Sequence, residues 1–111
     1  MSDSLDQFDN QILELLQVLE AALRSGYSLV QSLEIAAKDM ADPMAAEARR
    51  VTTELQSGVA LPDALNHWLQ RFPSRNLDLI VATILAQLEA GGNLANRFQL
   101  LSQIIPKLKH V

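Results

Sequence analysis

Residues Gln87 to Phe98 read QLEAGGNLANRF, which combines the end of one helix, a glycine break and the start of the next helix. Two earlier stretches repeat this arrangement around Gly26 and Gly58, which lie 32 residues apart (26 to 58), and Gly91 follows after 33 more (58 to 91). Each copy has a leucine three residues before the glycine, a leucine three residues after it, and a bulky apolar residue four positions further on. These apolar residues are Leu23, Leu29 and Leu33; Leu55, Leu61 and Leu65; and Leu88, Leu94 and Phe98.

A glycine at the end of a helix adopts the left-handed conformation without a steric penalty, so it can turn the chain into a new helix. The apolar pair that follows, spaced i and i+4, then begins the buried stripe of that helix. The three copies therefore predict three helix–glycine–helix units with structural corners at Gly26, Gly58, Gly91 and Gly92. The alternative is three unrelated helix ends that look alike because helix ends share their signals.

Apolar spacing along the rest of the chain predicts six helices joined by short turns. The first begins near residues 5 to 8 and stops at Ser25; in the second, Ser28 and Gln31 form a capping box. The third follows Asp42 and Pro43, with Asp42 as a plausible cap. The fourth runs from about Leu61 to Phe72. No segment alternates as a strand does, so the fold class is all-α: a six-helix bundle in a single domain, residues 1–111, with residues 1–7 frayed.

The last two predicted helices carry the strongest signals. The fifth, residues 77 to 88, follows a cap at Ser74 or Asn76 and is apolar nearly all round, so we expect it to be the most buried. The sixth begins after Asn93, and Pro106 should kink or end it.

Composition narrows the class of protein. The chain has 111 residues, 49% of them apolar, which is enough for one domain with a core. A net charge of -4 argues against general nucleic-acid binding, and the lack of cysteine fits a reducing compartment. We see no signal peptide, and no apolar stretch reaches the ~20 residues that a membrane helix needs.

Few residues suggest chemistry. The two histidines, His67 and His110, lack the neighbours that a metal site requires, although Asp63 could bond to His67 one turn away. No nucleophile elbow, phosphate loop or dinucleotide motif occurs. We therefore expect no enzyme activity: no catalytic, cofactor-binding or metal-binding residues and no cofactor. A cation site formed by Asp39, Asp42, Asp78 and Glu89 stays open, because sequence cannot bring these residues together.

Binding is the remaining way for such a domain to act. Arg49, Arg50, Arg71 and Arg75 are basic residues in an acidic chain, so they are candidates for docking an acidic partner, or else ordinary solvated surface. The acidic first helix, with Asp9, Glu14 and Glu20, could meet a second, basic partner. Two other classes fit the glycine corners: a helix-turn-helix DNA-binding regulator and a stacked helical-repeat adaptor.

Three motifs taken in order resemble the type II secretion F family. They are Gly26 with Leu29 and Leu33, the run from Gly58 to Leu65 followed by Arg71-Phe72-Pro73, and the corner Gly91-Gly92-Asn93-Leu94. The resemblance covers about residues 13 to 105. Within that family the pattern is most similar to TadB and TadC, the inner-membrane proteins of tight-adherence pilus systems.

The resemblance implies a six-helix domain on the cytoplasmic side of the bacterial inner membrane, in a platform protein that couples a secretion or pilus ATPase to pilin extrusion. Expected partners are that ATPase and other platform subunits, with weak homodimerisation, no nucleic acid, and membrane contact only through segments absent from this chain. It implies no catalytic residues. Members of the family carry membrane helices beside this domain, so we expect an excised domain rather than a stand-alone relative.

Overall fold

The computed structural model describes residues 2–108 of the chain, and these residues form helices and turns without any strand. The helices are α1 (Ser2–Asn10), α2 (Ile12–Arg24), α3 (Leu29–Asp39), α4 (Met44–Gln56), α5 (Leu61–Arg71), α6 (Arg75–Ala90) and α7 (Leu94–Leu108). The all-α prediction is therefore confirmed. Every helix within this range falls short of the combined length and apolarity that crossing a bilayer requires.

The described residues contain seven helices rather than six, because the predicted first helix is divided at Gln11. The Gln11 side chain bonds to the turn between α3 and α4: its amide nitrogen donates to Ala41 O at 2.8 Å, and its amide oxygen accepts from Met44 N at 2.9 Å. These two bonds join the α1–α2 junction to a turn 30 residues away. Periodicity within the helix cannot reveal such a distant partner. The helix also begins at Ser2, within the stretch predicted to be frayed.

The turns after α2 and α4 have the same hydrogen-bond pattern. After α2, Gly26 N donates to Leu23 O at 3.0 Å and Tyr27 N to Ala22 O at 3.1 Å. After α4, Gly58 N donates to Leu55 O at 3.1 Å and Val59 N to Glu54 O at 3.0 Å. Both are Schellman motifs, in which the residue after the helix must take a positive φ. Gly26 and Gly58 have φ of +98° and +102°.

The turn between α6 and α7 is built differently. Gly91 and Gly92 both have positive φ, but α6 ends directly before Gly91, and Gly91 N donates to Gln87 O at 2.7 Å. Side chains complete the turn: Gln87 donates to Gly92 O at 3.1 Å and Arg97 donates to Gly91 O at 3.4 Å. Leu88, the counterpart of two partly buried leucines, is 53% exposed. The third copy of the pattern therefore shares the glycine conformation but not the packing of the first two.

The core is centred on α2 rather than on the predicted fifth helix. α2 packs against α1, α3 and α7, and its buried residues are Ile12, Leu15, Leu16, Leu19 and Ala22. α6 corresponds to the predicted fifth helix and buries one stripe, but it exposes Ala82, Ala86 and Leu88. The prediction that it is most buried is wrong, because alanines that look apolar in sequence cover little area and lie here on the solvent face.

Helix α1 is anchored by the buried ring of Phe8 and by a hydrogen bond to Asp9. Phe8 is fully buried, lies stacked on Phe72 with ring centroids 4.6 Å apart, and meets the Trp68 ring edge-on at 5.9 Å. Asp9 accepts a hydrogen bond from the hydroxyl of Ser74, which itself caps α6 by accepting from Leu77 N. Contacts with the turn before α6 therefore hold α1 in place.

Most of the predicted caps are found. Ser28 and Gln31 form the capping box of α3, and Ser74, one of the two predicted candidates, caps α6. The Asn93 side chain, a cap that was not predicted, accepts from Asn96 N at the start of α7. Asp42 lies one residue before the cap position of α4 and accepts from Ala46 N. Pro106 was expected to kink or end the helix, but α7 includes it and continues to Leu108, so the proline does not end α7.

Candidate functional site

The most distinctive charged feature of the surface is a depression on the outer face of α4, which we call the basic depression. It is lined by Ala46, Arg49, Arg50, Thr53 and Glu54 of α4 and by Arg71 from the last turn of α5, and it encloses about 490 Å³. Residues 46, 49, 50 and 53 follow the i, i+3, i+4, i+7 spacing that places side chains on one face of a helix. Three of the four arginines singled out in the sequence thus meet in one place.

Arg71 is fixed in the wall of the depression by two carboxylates of α4. Its Nε donates to Glu47 Oε1 at 2.8 Å, and its Nη1 lies 3.6 Å from Glu54 Oε2. The Arg71 and Glu47 side chains are only 21% and 11% exposed, so this pair is largely shielded from solvent. Ion pairs that are partly removed from water are screened less than surface pairs. Arg71 therefore joins α4 to α5 and is not free to pair elsewhere.

His67 extends the same network. Its Nδ1 lies 2.8 Å from Glu54 Oε1, so Glu54 contacts His67 through one oxygen and Arg71 through the other. The sequence suggested Asp63 as the partner of His67, and this is wrong: the carboxylate that meets the ring comes from the neighbouring helix. The second histidine, His110, lies outside the described residues.

The other arginines differ in their surroundings. Arg49 donates from Nη2 to Ala37 O at 3.1 Å, which links α4 to the end of α3. Among the ion pairs formed by the side chains of residues 5–108, none joins Arg49 or Arg50 to a carboxylate. Arg75 lies apart, in a second depression that it shares with Leu69, Pro73, Ser74 and Asp78.

The four acidic residues considered for a cation site lie too far apart to form one. Asp78 is in the first turn of α6 and Glu89 in its last, eleven residues away, which separates their Cα atoms by roughly 16 Å at 1.5 Å per residue. Asp39 and Asp42 lie at the turn between α3 and α4. Within the described part of the chain, no group of three or more histidine, aspartate or glutamate side chains is placed to hold a metal ion. The four acidic residues therefore do not form one site.

The sequence indicated the arginines but not the residues that pair with Arg71 and so distinguish it from Arg49 and Arg50. Glu47 and Glu54 are seven residues apart on α4, and His67 and Arg71 are four apart on α5, so each pair occupies one helix face. Two acids on one helix face and a histidine and an arginine on one face of the next helix indicate a paired interface between the two helices. With that signal, Arg71 would have been assigned to the α4–α5 contact.

Comparison with known proteins gives one match. The family model described as type II secretion system (T2SS), protein F, matches residues 15–108, close to the range over which the motifs resemble that family. Neither the curated proteins nor the solved structures contain a match to the chain. The matched range begins within α2, covers α3 to α7 in full, and includes the whole basic depression. The chain therefore belongs to the type II secretion system protein F family.

Proposed function

We propose that this chain is a non-catalytic interaction domain of an inner-membrane platform protein, acting on the cytoplasmic side in type II secretion or in Flp/Tad pilus assembly. Its main partner is the ATPase that drives secretion or pilus assembly, with other platform subunits and weak self-association as secondary contacts. The pattern of the glycine motifs supports a relationship to the TadB and TadC proteins within the family. Family membership supports the platform role, and the basic depression supports the mode of docking.

The main support for this proposal is that the basic depression carries positive charge in a molecule that is acidic overall. The chain has a net charge of -4, yet Arg49 and Arg50 lie side by side on the open face of α4, and no carboxylate within the described residues pairs with them. Complementary charge directs encounter and sets register between proteins more than it supplies affinity. A partner that presents acidic side chains would therefore find this face in preference to the rest of the surface.

The two rival functions have less support. A DNA-binding regulator would need a contiguous basic face, but Arg71 is paired with Glu47 and Arg75 lies in another depression beside Asp78. A stacked-repeat adaptor would need units that repeat their packing, whereas the α6–α7 turn differs from the first two in its hydrogen bonds and in the exposure of Leu88.

The direct test is capture of the cognate secretion ATPase by the purified domain and by the double variant Arg49→Glu, Arg50→Glu. We expect capture by the parent domain and a loss of about tenfold or more for the variant, because reversing two docking charges replaces attraction with repulsion. Capture should also weaken as salt rises, since exposed charges are screened over ~10 Å at 0.1 M.

Arg75→Glu serves as the control, because it changes the charge of an exposed arginine outside the basic depression. It should bind as the parent does, and all three proteins should have the same helical circular dichroism spectrum. Equal capture by the double variant and the parent would remove the basic depression as the dock. Failure of the parent to bind the ATPase under any salt condition would remove the proposed partner.

A further inference from the structure

We infer that the basic depression is a carboxylate-binding site that receives glutamate or aspartate side chains from a short acidic helix or loop of the partner. Arg50 is the principal contact, Arg49 is the second, and Arg71 is a positioning residue that shapes the wall. This inference rests on the proposed function, because it specifies the chemistry by which the platform partner is recognised.

Arg50 is suited to the principal role by its exposure and freedom. It lies on the exposed face of α4, lines the depression, and is held by no carboxylate among the side chains of residues 5–108. A guanidinium offers a planar fork of donors that matches the two oxygens of a carboxylate. Arg49 uses one nitrogen for Ala37 O and keeps its remaining donors for a second oxygen or a second side chain.

Arg71 contributes in another way, because its charge is already engaged. Glu47 and Glu54 hold its Nε and Nη1, and its Nη2 is buried without a hydrogen-bond partner among the described residues. Three guanidiniums and these two carboxylates leave one net positive charge around the depression. Glu54 is itself drawn towards Arg71 and His67, so it competes little with an incoming carboxylate. The site is therefore built for one or two anionic side chains.

Size and overall charge favour a short protein segment over a polyanion. The depression encloses about 490 Å³, enough for a few side chains. A nucleic acid or an anionic bilayer must lie over a much larger area, and there it would meet the acidic surface of a chain whose net charge is -4. A segment that contacts only the depression avoids that repulsion. The Arg75 depression does not offer an acidic segment the same attraction, because it also contains Asp78.

The experiment uses an alanine-rich helical peptide that carries two glutamates one turn apart, with a twin in which both are glutamine. Binding to the isotopically labelled chain is followed through the Nε–H resonances of its arginines. We expect saturable shifts at Arg49 and Arg50 with the glutamate peptide, and none with its glutamine twin. Arg50→Gln should weaken binding about tenfold or more, because it removes charge-assisted hydrogen bonds to the carboxylate.

Arg75→Gln is the matched control and should leave the affinity for the glutamate peptide unchanged. Shifts at Arg24, Arg75 and Arg97 as large as those at Arg49 and Arg50 would overturn the inference. Equal binding of the two peptides would also overturn it. The same holds if Arg50→Gln and Arg75→Gln bind the glutamate peptide with equal affinity. Preferential, Arg50-dependent binding to vesicles containing phosphatidylglycerol, or to a DNA duplex, would also overturn it in favour of a polyanion site.

The outcomes separate this site from the broader proposal. If the parent domain captures the ATPase while Arg50→Gln and Arg75→Gln capture it equally, the platform role stands and the carboxylate site is wrong. If the glutamate peptide binds through Arg50 but the ATPase is never captured, the site is correct and the proposed partner is wrong.

Discussion

Gly26 and Gly58 show how one residue type fixes a turn in this molecule. Each follows a helix by two positions, has φ near +100°, and donates its N–H to the carbonyl three residues back. A Cβ placed on either glycine would meet no atom within 4 Å. Glycine is therefore required at these two positions by the local backbone conformation and not by crowding from other parts of the molecule. That distinction predicts the size of the effect of substitution.

We expect Gly26→Ala and Gly58→Ala each to lower the free energy of unfolding by about 1–3 kcal/mol, the usual cost of a sparsely populated backbone conformation. The two effects should be similar, because the turns share their hydrogen bonds. Urea denaturation of the two single variants measures this.

Ser25→Ala is the control for these glycine variants. Ser25 has φ -82° and ψ 0°, which alanine adopts readily, so its effect should stay below about 0.5 kcal/mol. A Gly58→Ala variant as stable as the parent would contradict the argument that φ alone demands glycine there.

At the scale of elements, α4 and α5 are joined by a charged contact as well as by apolar packing. Arg71 on α5 faces Glu47 on α4, and His67 on α5 faces Glu54 on α4. Removing one member of a shielded pair leaves the other without its partner, which costs more than the pair contributes as a whole. The double substitution should therefore lower the free energy of unfolding by less than the sum of the two single substitutions.

A double-mutant cycle with Glu47→Gln and Arg71→Met should give a coupling free energy of about 1–3 kcal/mol in urea denaturation. The matched pair is Glu20 and Arg24, an i, i+4 pair on α2 whose arginine is 42% exposed, and its cycle should give about 0.3–0.5 kcal/mol. Equal coupling in the two cycles would show that the α4–α5 contact behaves as an ordinary surface pair.

The positions of the helices and their local caps could be predicted from the sequence, whereas contacts between helices could not. Spacing of apolar residues located the helices, and local capping chemistry located Ser28 as a cap and Ser74 as one of two candidate caps. Those signals lie within a few residues of each other. The break at Gln11 and the contact of His67 with Glu54 depend on partners from other elements. The site was predicted as four equal arginines, and only tertiary contacts distinguish Arg50 from Arg71.

For the molecule as a whole, the arrangement of charge and the position of α1 matter most. The basic depression lies on α4 and α5, within the range matched to the family, whereas α1 lies before that range and inserts Phe8 into the aromatic cluster with Trp68 and Phe72. The family domain therefore carries the proposed dock, and α1 packs against it as an additional element. Function is accordingly expected to depend on α4 and its surface.

The central claim, that the basic depression meets the secretion ATPase, is tested most directly by cross-linking in the assembled system. The sequence has no cysteine, so Thr53→Cys places a single thiol of this domain in the depression, and Gln103→Cys places one on the exposed side of α7 as a control. With a short thiol-to-amine cross-linker, we predict a cross-link to the ATPase from position 53 that Arg50→Gln suppresses, and none from position 103. A cross-link to the ATPase from position 103 alone, or equally from both positions, would contradict the claim.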